Sequence, residues 1–106
     1  KDTYVIEFRK AIRGGPDTYL LDRLLTASII EARGAERFGL IADALEAGDL
    51  KMFYQSIARS EARHFELFLN LAALYLPAEQ VQERWRELLV IEAEIVAALP
   101  LRAALH

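Results

Sequence analysis

Two long helical patterns separated by only four residues constrain this chain more than any other feature. "PDTYLLDRLLTASIIEARGAERFGLIADAL" runs without a breaker from Pro16 to about Leu45. After "EAGD", "LKMFYQSIARSEARHFELFLNLAALYL" carries on to Pro77. Each span is some 27 residues, roughly 40 Å at about 1.5 Å per residue. Rods of that length joined by so short a turn must fold back on each other. An antiparallel pair, the building unit of a helical bundle, is the outcome.

The remaining segments fit the same class. Residues 3–13, "TYVIEFRKAIR", read as a short amphipathic helix opened by Asp2 or Thr3 and stopped by Gly14-Gly15, with Pro16 at the first position of the next helix. Gly48 serves as a C-terminal glycine and Asp49 as the following N-cap. A last helix covers about 78–98 and ends at Leu99-Pro100, leaving "LRAALH" as a tail. Strand signals are nearly absent. The expected fold is all-α: an antiparallel helical bundle, with residues 1–106 as one domain and no internal boundary.

Composition narrows the chemistry. The 106 residues are 54% apolar and 27% charged, which describes a globular chain. A net charge of −3 argues against nucleic-acid binding through a generally basic surface. Cysteine is absent, so disulfides and thiolate metal sites are excluded and any metal must sit on His, Asp and Glu. Neither a secretory leader nor an apolar run long enough to span a membrane is visible, so a cytoplasmic protein without membrane partners is expected.

Helical periodicity then exposes an anomaly. The inward stripe of the third helix reads Leu50, Phe53, Tyr54, Ile57, Ala58, Glu61, His64, Phe65, Phe68, Leu71, Ala72, Tyr75. Only Glu61 and His64 break its apolar character. The inward stripe of the second helix reads Leu24, Ala27, Ser28, Glu31, Gly34, Ala35, Phe38, Ala42, Leu45, with Glu31 at its centre and small residues on either side. Glu36 falls on another face, with Asp22, Thr26, Arg33 and Asp43, read as a solvated stripe. Glu92, beside the stripe Val81, Trp85, Leu88, Ile91, Ile95, reads as a flanking surface charge.

Buried carboxylates without partners cost several kcal/mol, about 1–3 even for a neutral polar group and more for a charge. A divalent metal held by Glu31, Glu61 and His64 would offset that cost. Glu-x-x-His places both side chains on one side of a helix, and di-iron carboxylate bundles use one Glu from each of two helices plus Glu-x-x-His from each of two others. Oxygen and nitrogen donors of this kind suit iron or manganese. Two bland readings compete: a metal-free hydrogen-bonded Glu–His cluster, and aromatic residues of the stripe, Tyr54 included, that simply pack.

The blocks "LLDRLLTASIIEARGAERF", "FYQSIARSEARHFELFLNLA" and "IEAEIVAALP" resemble the C-terminal half of the tRNA 2-methylthio-isopentenyladenosine hydroxylase family, MiaE. The resemblance runs from about Tyr4 to the C-terminus. It implies a ferritin-like bundle with two non-haem iron ions per site and molecular oxygen as co-substrate. The implied activity is hydroxylation of the isopentenyl group of a modified adenosine in tRNA, with an external electron donor as a second partner. Glu31 matches a bridging-type glutamate, and Glu61 with His64 matches one Glu-x-x-His of the family.

Only half of a six-ligand set is present. The chain is therefore expected to be the C-terminal part of a longer domain, completed by an N-terminal half of the same protein. A half-length relative completed by a second copy in a homodimer, and a metal-free relative, are the alternatives. Apolar residues Phe53, Tyr54, Ile57 and Phe65 are expected to wall the metals. Arg9, Lys10 and Arg13 are either a local basic patch for tRNA or an ordinary solvated face. Ferritin-like iron binding or oxidation without an organic substrate, and a purely structural helical module, are the competing functions.

Overall fold

The computed structural model describes residues 2–100, so the tail at 101–106, with its terminal His106, lies outside the described residues. Within them the chain forms four helices: α1 (Thr3–Arg9), α2 (Tyr19–Ala44), α3 (Asp49–Tyr75) and α4 (Ala78–Ala98). The expected all-α class and the long α2–α3 hairpin are both present. The smallest dimension of the molecule is 20 Å, which fits two helices of about 10 Å diameter stacked in layers.

Local chemistry explains each boundary. Asp2 caps α1 by accepting a hydrogen bond from the Val5 amide at 3.2 Å. α1 stops at Arg9, short of the expected residue 13. The reason is that the Arg13 amide donates to the Asp22 carboxylate at 2.9 Å and so cannot continue the helical ladder. α2 starts three residues later than expected, because a turn precedes it in which the Thr18 and Tyr19 amides both donate to the Gly15 carbonyl. Between α2 and α3, Gly48 takes the N-cap position at φ 152°, a conformation that disfavours side chains, and Asp49 becomes the first helical residue. The Lys51 ammonium donates to the carbonyls of Ala42 and Leu45 at 2.9 and 3.2 Å, and so closes the C-terminus of α2.

The core lies on one side of the hairpin. Phe8 of α1, Leu21, Leu25 and Ile29 of α2, Ala72 of α3, and Val81 and Leu88 of α4 are buried together. Full burial of each large apolar side chain contributes about 1.5–3 kcal/mol. The Ser28 hydroxyl, also buried, donates to the Phe65 carbonyl at 2.9 Å and locks α2 to α3.

This placement corrects the expected stripe of α3. Ala72 is its only buried residue among those described, whereas Leu50, Phe53 and Tyr75 are more than half exposed. α1 and α4 cover a single side of the hairpin, and the other side carries much of that stripe into the open. Phe65 is turned to the covered side, against the Trp85 ring at 6.1 Å, and does not join Phe53 and Tyr54. Tyr54 packs: its ring stacks on Phe38 at 6.0 Å and meets Phe53 edge-on at 5.4 Å.

Two further corrections concern charge. The face of α2 read as solvated is buried at Asp22 and Thr26, because α1 and α4 lie on it. Asp22 accepts five hydrogen bonds: the Arg13 amide, Arg13 Nε and Nη2, and Arg84 Nε and Nη2, all at 2.9–3.0 Å. Glu92, expected at the surface, is only 4% exposed. It accepts from the Tyr4 hydroxyl at 2.5 Å and from Arg33 Nε and Nη2 at 2.8 Å each. Glu36 is exposed as expected and pairs with Arg33 at 2.9 Å.

Candidate metal centre

Glu31 lies midway along α2, and Glu61 and His64 lie one turn apart in the middle of α3. The antiparallel packing brings all three to the same level of the hairpin. One donor atom from each can be chosen so that all three lie within 4.8 Å of one another, and this is the one such cluster of metal-type donors among the described residues. His64 Nδ1 stands 3.7 Å from Glu61 Oε1 and 3.9 Å from Glu31 Oε2, too far for hydrogen bonds.

The surroundings make this arrangement unusual. Two carboxylates sit side by side, and no arginine or lysine forms an ion pair with either among the described residues. Burial pushes the Glu31 carboxyl above its ordinary range, the adjacent Glu61 carboxylate pushes it further, and His64 acts in the opposite direction. A cation between them would remove that repulsion.

Gly34 provides the space. A β-carbon built at Gly34 would stand 2.6 Å from Glu61 Oε2, so the carboxylate occupies the volume that any other residue would fill. An ion bonded to each donor at about 2.1 Å holds them within roughly 4 Å of one another, so small side-chain rotations suffice to close the set. Donor type, spacing and the Gly34 cradle all fit a divalent metal of the iron or manganese class.

The three side chains are not enclosed. Glu31 and Glu61 are about a quarter exposed and His64 about half, all on the uncovered side of the hairpin. Three protein donors leave positions open on any metal that prefers five or six ligands. The cluster therefore offers three donor groups and faces outward.

The structure brings together the three residues singled out from sequence, and it shows two polar networks on the covered side that sequence reasoning missed. A signal existed for each. Glu92 falls four residues after Leu88 and eleven after Val81, on the core stripe of α4, and Asp22 precedes Leu25 and Ile29 by three and seven residues.

Comparison with known proteins follows the same lines. The sequence profile of the family described as tRNA-(MS[2]IO[6]A)-hydroxylase (MiaE) matches residues 1–106. A Salmonella typhimurium protein named tRNA 2-(methylsulfanyl)-N(6)-isopentenyladenosine(37) hydroxylase is 40% identical over 87 residues, covering 82% of this chain and 32% of the relative. A Pseudomonas putida protein of the same name is 36% identical over 72 residues, covering 68% of this chain and 35% of the relative. The chain spans about a third of the length of these curated relatives. No solved structure matches it.

Proposed function

This chain belongs to the MiaE family, and on that footing we propose that it supplies half of the metal centre of an oxygen-dependent tRNA hydroxylase. The substrate would be the isopentenyl group of a modified adenosine, as the names of the relatives state for them. The observation that carries the reading is the convergence of Glu31, Glu61 and His64 within 4.8 Å on an open helical face.

The remaining ligands would come from outside these residues: an N-terminal half of the same protein, or a second copy of this chain related by a two-fold axis. Either would lay helices over the apolar residues left exposed beside the centre, such as Phe53 and Leu50. That cover would also exclude water from the reacting groups. Glu31 and Glu61 would hold the metal through oxygen, and His64 through an imidazole nitrogen. A pair of ferrous ions, when bound, supplies the two-electron reduction of oxygen that hydroxylation of an unactivated C–H bond requires, with an external donor restoring the electrons. Phe53, Tyr54 and Ile57 would provide the apolar surface on which an isopentenyl group rests.

The test is a metal count joined to a product assay on the intact protein. Iron near two per complete site, lost in Glu31→Ala, Glu61→Ala and His64→Ala, with hydroxylated nucleoside detected by mass spectrometry of digested tRNA, is the expected result. Fewer than about 0.2 metal ions per chain in a folded protein would identify a metal-free helical module instead. Bound iron without product would favour iron storage or oxidation.

A further inference from the structure

On the side of α2 away from α3, the N-terminal half of α2 and the end of α1 enclose a groove of about 470 Å³. Its charged lining is entirely cationic: Arg9 from α1 and Arg23 from α2. In a chain of net charge −3 this is notable, because most arginines near the core are committed to carboxylates. Arg13 and Arg84 serve Asp22, and Arg33 serves Glu92 and Glu36. Arg9 and Arg23 form no ion pair among the described residues. Arg23 is pre-positioned without being neutralised: Nη1 donates to the Tyr19 hydroxyl at 2.7 Å, and the guanidinium lies 5.6 Å from the Tyr19 ring centroid. A guanidinium has five N–H donors, so most of those on Arg23 remain available.

A second observation points to a ligand. Thr26, also in the groove wall, is 1% exposed, and its hydroxyl is the one buried side-chain polar atom among the described residues without a hydrogen-bond partner. Leaving such a group unpaired costs about 1–3 kcal/mol. A hydrogen-bonding ligand in the groove would remove that cost after a small rotation about the Thr26 side chain.

The groove also has a direction. Ala27 and Ile30 line its apolar end, and Ile30 immediately precedes Glu31. Arg23 is eight residues before Glu31, about 12 Å along the helix axis at 1.5 Å per residue. One end therefore offers the two guanidinium groups, and the other is apolar.

We propose that this groove binds a phosphodiester of the RNA substrate, with Arg9 and Arg23 as the paired cations and the Thr26 hydroxyl as a further donor. Arginine forks match phosphate oxygens bidentately, which a lone surface lysine does not. The bound phosphate fixes the register of the strand against this face of α2. This assignment rests on the tRNA hydroxylase reading. It also differs from the Arg9, Lys10 and Arg13 patch weighed above against an ordinary solvated face, because Lys10 pairs with Glu7 and Arg13 with Asp22.

Binding of labelled tRNA to the intact protein, followed by fluorescence anisotropy across a salt series, tests it. The double substitution Arg9→Ala/Arg23→Ala is expected to weaken binding about 10-fold or more and to reduce the slope of log affinity against log salt by about 1–2. Arg9→Lys/Arg23→Lys should recover most of the slope. The matched control Arg59→Ala/Arg63→Ala, two exposed arginines of α3, should change affinity less than about 2-fold. Equal loss in the control, or an unchanged slope in Arg9→Ala/Arg23→Ala, overturns the assignment. So does Arg-dependent binding of inorganic phosphate without tRNA binding, which would make the groove a free-anion site. The hydroxylase reading fails separately, through absence of product or metal in the unsubstituted protein.

Discussion

α2 has charged groups on two faces, and the two are treated in opposite ways. Towards α1 and α4, each buried carboxylate is saturated: Asp22 by two arginines, Glu92 by Tyr4 and Arg33. Towards the open side of the hairpin, Glu31 faces another carboxylate and an imidazole, and no arginine or lysine among the described residues pairs with it. The first face is finished as it stands. The second would, on the reading proposed above, take its positive partner from outside. Burial alone does not distinguish the two faces: the neutralised carboxylates are the more deeply buried.

The sharpest way to break this comparison is to remove Asp22. Asp22→Ala leaves Arg84 buried against α2 without its counter-charge, and a loss of about 3–5 kcal/mol is expected in chemical denaturation. A loss below about 1 kcal/mol would mean that the covered face does not depend on its ion pairs. Gly34→Ala probes the open face in the reverse sense. The new methyl would collide with the Glu61 carboxylate, so metal affinity in the intact protein should fall by about 10–100-fold, as for other changes beside metal ligands. Helix propensity alone would favour alanine by up to about 1 kcal/mol, so folding stability should hold. Parallel loss of stability and affinity would remove the distinction.

Acid sharpens the comparison. Burial pushes the Asp22 carboxyl up, but its hydrogen bonds from Arg13 and Arg84 outweigh this and hold it below its ordinary range. A depressed carboxyl contributes stability that is present above the unfolded value of about 3.9 and is lost as pH falls through the lower folded value. The stability gap between the unsubstituted protein and Asp22→Asn should therefore be full near neutral pH and shrink below about pH 4. A pH-independent gap would show that the carboxylate charge is not what Arg13 and Arg84 recognise. The smallest effect belongs to Glu31→Gln in metal-free protein. Removing one of two adjacent carboxylates should leave stability unchanged or raise it by less than about 1 kcal/mol. A marked loss would assign Glu31 to the fold and not to a site.

Much of this was legible in residue order, and the exceptions are informative. The spacing of Glu61 and His64, and of Glu31 among Ala27, Ser28 and Gly34, placed three donors on facing sides of two helices. The same periodicity misassigned Asp22 and Glu92. A helical wheel shows which residues share a face, but not how many neighbours a helix has. α2 is covered on two sides along its N-terminal half, so a face carrying Asp22 and Thr26 is interior there despite its polarity. Phe65 failed for the same reason: it lies between two candidate partners, and Trp85 won.

By itself, then, the sequence determined four helices, the antiparallel pairing of the two long ones, and which three polar side chains meet between them. Those follow from local rules: helical period, capping residues, and a turn too short to do anything but reverse the chain. Only the tertiary structure decided which side of that hairpin is closed, which charges neutralise one another, and that the Glu61 carboxylate occupies the space left by Gly34. Those outcomes depend on contacts between residues dozens of positions apart, where distance and counter-charge, not periodicity, set the energy.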